Sequence, residues 1–391
     1  MRGVALGTMV VRDVCAHYGS VKAVQGVSLV AHDGEFMVIF GPSGAGKTTL
    51  LNVIAGVKAP SSGQVLINGH DVTHWEPWQR NVAMVFENYA LYPHRTVFEN
   101  IASPLVKRKV PKDIIRDQVH TVAAMLQIET LLDRRPAEIS NGQKQRVAIG
   151  RGLVRDSDVL LMDEPLAHLD AKLRNEMRTE LILMKNRLKQ TVIYVTHDYR
   201  EAMALADHLV VMKDGMIEQE GSSASIFQKP RSLPVVRLLG SPPRSTLNLD
   251  VVDRDVQSGA WTLDYAPWNL RCVMHYEGHP VEDVVPTKIT MAILGRQVKM
   301  ADTTEVRRRN SCRIRAPVTM VEPQGAYTIL TVGDAVQELQ IRCDSNELDG
   351  VTIGNPIDLD VLLDDVLFYD TSGVILEKAY AVPEAIEVGG V

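Results

Sequence analysis

A mixed α/β domain followed by an all-β domain is the architecture this sequence predicts. Three observations carry it. Strand-like runs alternate with helical-period segments from residue 9 to about 240. A glycine-rich turn at residues 41–48 joins a buried-type strand to a helix. After Gly240 the helical periodicity ceases and only short β-rich segments follow.

Each element has its own signal. Met9 to Ala16 reads as a first strand; the apolar stretch behind Arg2 is too short for a signal peptide and runs into Arg12 and Asp13. The eight residues before Met9 read as a ragged extension. Phe36 to Phe40 is continuously apolar, as a strand covered on both faces must be. Leu50, Val53, Ile54 and Val57 then follow the helical period. Ile115, Val119, Val122 and Leu126 line one side of a helix over 112–126. Val159 to Met162 and Val192 to Val195 are two further buried-strand candidates. Between 171 and 190, Leu173, Met177, Leu181, Met184 and Leu188 mark one face of a long amphipathic helix. Ser241-Pro242-Pro243 reads as a linker. Beyond it, Thr287 to Leu294, Tyr327 to Val332 and Glu338 to Cys343 are strand candidates broken by Gly, Asn and Asp. The expected domains are therefore 1–243 and 244–391.

Composition narrows the function. The chain has 391 residues, 45% hydrophobic and 23% charged, ample for a buried core and ordinary for a globular protein. A net charge of -6 gives no support for a nucleic-acid binder, which needs a basic surface to neutralise phosphates, so no nucleic-acid partner is expected. Cys15, Cys272, Cys312 and Cys343 lie far apart without CxxC spacing, which fits a reducing compartment better than a disulfide or zinc framework. No apolar run approaches the ~18 residues a membrane helix needs. If the protein serves a membrane, other subunits must span it.

Two motifs carry chemistry. Gly41-Pro42-Ser43-Gly44-Ala45-Gly46-Lys47-Thr48 fits the GxxxxGK[ST] phosphate loop. Its glycines let backbone N–H groups turn inward around phosphate oxygens, and the following helix, through Thr49, points its positive end at them. Lys47 is placed to bridge the β- and γ-phosphates of ATP, and the Thr48 hydroxyl to ligate Mg²⁺. The run Val159-Leu160-Leu161-Met162-Asp163-Glu164-Pro165 ends a strand in two acids, at the sheet edge where ligands bind. Asp163 is expected to hold Mg²⁺ through water, and Glu164 to act as general base on the attacking water.

Between them lies Ile139-Ser140-Asn141-Gly142-Gln143, followed by Lys144-Gln145-Arg146-Val147-Ala148-Ile149-Gly150-Arg151. Here the sequence resembles the ABC ATPases, whose signature usually reads Leu-Ser-Gly-Gly-Gln. The family's other markers fall in order. Tyr18 matches the aromatic that stacks on adenine, Leu166 to Asp170 the loop communicating between subunits, and His197 the switch histidine that contacts the γ-phosphate. Taken singly, Tyr18 and His197 are ordinary residues; in this series they take roles.

The resemblance implies a P-loop ABC ATPase domain with a helical subdomain over about 88–155. It also implies a dimer: Ser140, Gly142 and Gln143 open a helix whose donors and dipole face ATP held on the other subunit. One nucleotide domain per chain then requires a second ATPase subunit. Asn88-Tyr89-Ala90-Leu91-Tyr92-Pro93-His94, Leu166 to Arg174 and Tyr194 to Asp198 are similar to carbohydrate-uptake ATPases of the maltose-importer type. In those, the C-terminal part is an OB-like (TOBE) regulatory and dimerisation module. Val321-Glu322-Pro323-Gln324-Gly325 and Leu367 to Gly373 resemble its recurring segments, and Met291 to Arg296 stands where relatives carry Gly-Ile-Arg-Pro-Glu. Implied partners are two integral membrane permeases and an extracytoplasmic solute-binding protein, with this chain on the cytoplasmic face of the membrane. The implied cargo is a sugar, polyol or glycerol-phosphate-like solute. Metal-ion or polyamine import, or a soluble non-transport ATPase, are the alternatives.

Three positions depart from the family pattern. Phe86-Glu87-Asn88 stands where the family has Phe-Gln-Asn, at a position that touches Mg²⁺ and the lytic water. A carboxylate is an equally good hard-oxygen ligand. Its charge beside Asp163 and Glu164 adds roughly 3 kcal/mol of repulsion per pair at ~6 Å and an effective dielectric of ~20, before any counter-ion. Asn141 replaces a glycine and Ala167 a serine, both at positions facing the partner. A homodimer and a pairing with a distinct ATPase, with unequal sites, both accommodate these changes.

Overall fold

The computed structural model describes residues 9–167, 169–185, 190–255, 257–276, 286–301, 310–325, 327–348, 350–377 and 379–383. The extension before Met9, His168 of the loop Leu166 to Asp170, and Leu188 of the apolar helix face lie outside them. The chain divides into two compact units, at Ile226/Phe227.

The first unit opens with β1 (Met9–Tyr18) and β2 (Val21–Ala31), an antiparallel hairpin. Pairing of His17 with Lys22 and Tyr18 with Val21 carries β1 two residues past the expected Ala16. Then come β3 (Phe36–Phe40), α1 (Lys47–Ala55), β4 (Ser62–Ile67), β5 (His70–Asp71) and β6 (Val82–Val85). Gly56, in the left-handed region at φ 80°, ends α1. Val57 is therefore not part of the helical face and stands 59% exposed, a correction to the periodicity reading.

Three helices follow: α2 (Val97–Lys107), α3 (Lys112–Met125) and α4 (Asn141–Leu153). The remaining elements are β7 (Val159–Asp163), α5 (Ala171–Lys185), β8 (Thr191–Thr196), α6 (Tyr199–Leu205), β9 (His208–Lys213) and β10 (Met216–Gly221). Met177, Leu181 and Met184 are the buried residues of α5, as the period required.

Two sheets organise the unit. One is antiparallel, in order β2-β1-β4-β5; the other runs β10-β9-β3-β8-β7-β6. Within the second, β9, β3, β8, β7 and β6 are mutually parallel. Their carboxyl ends therefore share one edge, the edge at which such sheets bind ligands. Every residue of β3, β7 and β8 is buried, which explains their unbroken apolar runs.

Two short helices, α7 (Ser223–Gln228) and α8 (Leu233–Leu238), lead toward the second unit's strands. Val236 packs with Ala292 and Tyr369, and the Tyr369 hydroxyl donates to Pro230 O at 2.7 Å. These contacts draw 227–243 into the second unit, ahead of the expected boundary at Pro243. All strands of this unit are antiparallel: β11 (Ser245–Asp255), β12 (Ala260–Tyr265), β13 (Leu270–Tyr276), β14 (Lys288–Ile293), β15 (Val298–Met300), β16 (Ser311–Pro323), β17 (Thr328–Gly333), β18 (Glu338–Cys343), β19 (Pro356–Leu362), β20 (Leu367–Tyr369) and β21 (Ala379–Pro383). They form sheets ordered β20-β14-β11-β12-β13-β21 and β15-β19-β16-β17-β18 around one core that includes Trp268, Met291 and Phe368. This is the all-β, OB-like module expected from residues 321–325 and 367–373. Among the described residues no helix is long and apolar enough to cross a membrane.

Candidate active site

The shared carboxyl edge collects the sequence motifs. The phosphate loop leaves β3, Glu87 follows β6, Asp163 ends β7 with Glu164 after it, and His197 follows β8. Parallel pairing sets Asp163 beside Val195, so chemistry separated by more than a hundred residues in sequence meets in one place.

The loop is built around close backbone approach. Gly46 sits at φ 93° and caps α1; a Cβ there would lie 2.1 Å from Ala23 O, so no other residue fits. Lys47 is 4% exposed and its ammonium donates to Gly41 O and Pro42 O, each at 3.0 Å. Its third neighbour is Glu164 Oε1 at 3.5 Å. Ser43, Gly44 and Thr48 are exposed at the loop's rim, while Ala45 is buried and Thr49 half-buried within α1.

Glu164 is a non-glycine residue at φ 41°. This left-handed turn is held by Glu164 N donating to Val195 O at 3.0 Å. It swings the carboxylate between two partners: Lys47 on one oxygen and, on the other, His197 Nδ1 at 2.6 Å. With Glu164 as a carboxylate, which can only accept, His197 Nδ1 is the donor in this contact.

Asp163 Oδ1 accepts from the Thr48 hydroxyl at 3.0 Å. Burial raises the Asp163 carboxyl above its usual range; the Thr48 bond opposes this, and the charges of Glu164 and Glu87 push further upward. Thr48, Asp163 and Glu87 thus form a set of hard oxygens with excess negative charge. That set suits Mg²⁺, which takes a few protein oxygens and completes its shell with phosphates and water. Among the described residues no cluster of three or more His, Cys, Asp or Glu forms a self-sufficient metal cage.

Not every predicted residue joins this cluster. Tyr18 ends β1 and is 52% exposed, and Lys58 Nζ lies 3.8 Å from its ring centroid. Ser140 is the N-cap of α4: its hydroxyl accepts from Gln143 N at 3.3 Å, while Gln143 Oε1 accepts from Ser140 N at 2.9 Å. Gly142 is buried against α5; a Cβ there would lie 2.8 Å from Leu173. Ser140, Gly142 and Gln143 make no hydrogen bond to residues 41–49 among the described residues.

Two residues had no role assigned from sequence. Arg174 donates to Leu169 O at 3.0 Å and stands 3.9 Å from Asp198, linking the loop after Glu164 to the residue after His197. Glu201, 3% exposed, accepts from the Tyr194 and Thr196 hydroxyls at 2.8 and 2.7 Å. A buried acid four residues after His197, on the helix that follows it, was the available signal.

A phosphate loop, two acids and a polar histidine along the carboxyl edge of a parallel sheet define a P-loop nucleotide-hydrolysing domain. Comparison with known proteins sharpens this. A family model described as ABC transporter matches residues 24–167. The sn-glycerol-3-phosphate import ATP-binding protein UgpC of Bordetella avium (strain 197N) is 40% identical over 349 residues, covering 89% of this chain and 92% of that protein. The trehalose/maltose import ATP-binding protein MalK of Thermococcus litoralis is 41% identical over 356 residues, covering 89% and 94%. Among solved structures, the dimeric form of MJ0796, a bacterial ABC transporter cassette, covers 55% of this chain and 98% of its own, with TM-score 0.50 and 29% identity. The same cassette in a post-hydrolysis state bound to ADP and Pi matches equally well. The chain belongs to the ABC transporter family, as one of its ATP-binding, ATP-hydrolysing subunits.

Proposed function

We propose that this chain drives uptake of a sugar, polyol or glycerol-phosphate-like solute, working as one half of an ATP-sandwich dimer on the cytoplasmic face of a membrane. The names of the two importer relatives support that solute class over metal ions or polyamines. Two permease subunits and an extracytoplasmic binding protein complete the assembly. The observation that carries the catalytic part is Glu164, held between Lys47 and His197 at the carboxyl edge of the sheet.

In this reading the ATP phosphates lie over the loop 41–49, with the backbone N–H groups and the α1 dipole directed at them. Lys47 bridges the β- and γ-phosphates, exchanging its carbonyl contacts for phosphate oxygens. Tyr18 stacks on adenine, with Lys58 beside it. Thr48, Asp163 and Glu87 would hold Mg²⁺, which would supply charge neutralisation for the phosphate oxygens. Glu164 accepts a proton from the attacking water as its oxygen bonds to the γ-phosphorus; the bond to the bridging oxygen breaks, leaving ADP and phosphate. His197 orients Glu164 and contacts the γ-phosphate. Ser140, Gly142 and Gln143 seal the site of the companion subunit. ATP binding closes the dimer, and hydrolysis lets it reopen.

The test is phosphate release by the full chain with Mg-ATP, alone and reconstituted with its permeases in proteoliposomes. Turnover that depends on Lys47 and rises with one solute of the proposed class is expected. Absence of any affinity for Mg-ATP, alone or beside a companion, would overturn the reading.

A further inference from the structure

The loop leaving β6 holds two consecutive non-glycine residues in the left-handed region, Tyr89 at φ 61° and Ala90 at φ 46°. Neither is Asn or Asp, the types that tolerate this backbone through their own side-chain bonds. The Tyr89 ring is buried, yet its hydroxyl has no hydrogen-bond partner among the described residues. A buried orphan polar group next to a strained backbone calls for an outside hold.

Arg151 supplies it. Its Nη1 donates to Ala90 O at 2.7 Å and its Nη2 to Tyr89 O at 2.8 Å. The guanidinium fork matches two adjacent carbonyls in a way an ammonium cannot. The same group stands 5.7 Å from the Tyr92 ring centroid, and Arg95 lies 4.7 Å from that centroid. Arg151 occupies the last turn of α4, whose N-cap is Ser140. About 16 Å of helix, eleven residues at 1.5 Å each, therefore joins the Ser140 end to the loop that carries Glu87.

We propose that Arg151 is a positioning residue: its fork locks the Glu87 loop to α4, so that Glu87 beside Asp163 and Ser140 at the companion's ATP move as one body. The inference rests on the ATPase reading above. It makes the strained loop the means by which one subunit's metal-side carboxylate stays in step with the surface it offers its neighbour.

The test compares the full chain with Arg151→Lys, Ala90→Gly and the double variant. Turnover, equilibrium binding of Mg-ATP and backbone hydrogen exchange are measured for each. Arg151→Lys is expected to lower kcat about tenfold while Mg-ATP affinity changes by less than roughly threefold. Exchange should rise over 86–92 but not in β3 or β7. Glycine adopts the left-handed backbone without strain but restores no link to α4, so the double variant should stay as slow as Arg151→Lys. Recovery of most of the turnover in the double variant overturns the proposal, because relief of local strain would then account for the whole effect. So does unchanged turnover in Arg151→Lys, a rise in exchange that includes β3 and β7, or failure of that variant to fold. If the unmodified chain binds no Mg-ATP, the ATPase reading falls, and exchange over 86–92 still reports whether the fork holds the loop.

Discussion

Glu164 and His197 share a 2.6 Å contact between Oε2 and Nδ1, while the other Glu164 oxygen lies 3.5 Å from the Lys47 ammonium. The carboxylate proposed as general base is thus aimed from both sides. Glu164→Gln keeps the shape and removes the proton acceptor. It should reduce kcat by roughly 10²–10⁴-fold with Mg-ATP affinity preserved. His197→Ala should also act on kcat more than KM, because it frees the carboxylate to rotate. Single-turnover phosphate release beside nucleotide binding separates these effects; a pure rise in KM in either variant would count against the assigned roles.

The Asp163 carboxyl, raised by burial and then by the Glu164 and Glu87 charges, must be ionised to serve as a ligand. In the proposed mechanism its deprotonation is expected to limit activity on the acid side. Glu87→Gln removes one of the raising charges, so the acid limb of the pH–rate profile should move to lower pH. Hydrolysis near neutrality should rise if the carboxylate restrains turnover. A superimposable acid limb would show that Glu87 and Asp163 are not electrically linked.

Arg80 is 3% exposed and donates to Val53 O, Ile54 O, Thr73 O and Trp75 O at 2.8–3.0 Å. It closes the carboxyl end of α1, the helix that starts at the phosphate loop. Arg80→Ala should destabilise by about 2–4 kcal/mol, since it strands several buried carbonyls. That corresponds to a fall of roughly 5–15 °C in Tm by calorimetry.

Glu201 tests the buried acid behind His197. Glu201→Ala leaves the Tyr194 and Thr196 hydroxyls without their acceptor and should cost about 2–4 kcal/mol. Glu201→Gln retains an acceptor oxygen and should be mild. Burial raises the Glu201 carboxyl above its ordinary range, more than the two hydroxyl bonds lower it. Its stabilising share is therefore full below the ordinary carboxylate pKa and is lost as pH rises through the raised value. Melting curves across that window should show the Gln variant gaining on the parent as pH increases.

The parts legible in the sequence were those whose signal is local. Residues 41–48 and 159–165 declare themselves because one turn or one strand contains the whole pattern, and parallel pairing then brings them together. Glu87 stood out only against a family pattern. Arg151 could not be read this way: its partners Tyr89 and Ala90 lie 62 and 61 residues away and are bound through backbone carbonyls, which leave no trace in side-chain type. Arg80 is similar, with Val53 and Ile54 at 27 and 26 residues. Val57 was misread because apolar period alone does not mark where Gly56 stops a helix. The Pro242-Pro243 turn looked like a boundary, yet the packing of Val236 and Tyr369 decided where the second unit begins.

Asn141 is exposed, whereas its neighbour Gly142 is wedged against Leu173 of α5. The two adjacent positions therefore answer to different masters. Position 142 is fixed from within by the chain's own scaffold, and any added side chain there would lift the start of α4. Position 141 is exposed, its Oδ1 accepting from Lys144 Nζ at 3.3 Å, so in the proposed dimer a change there would retune the grip on a companion without disturbing the architecture that binds the chain's own nucleotide.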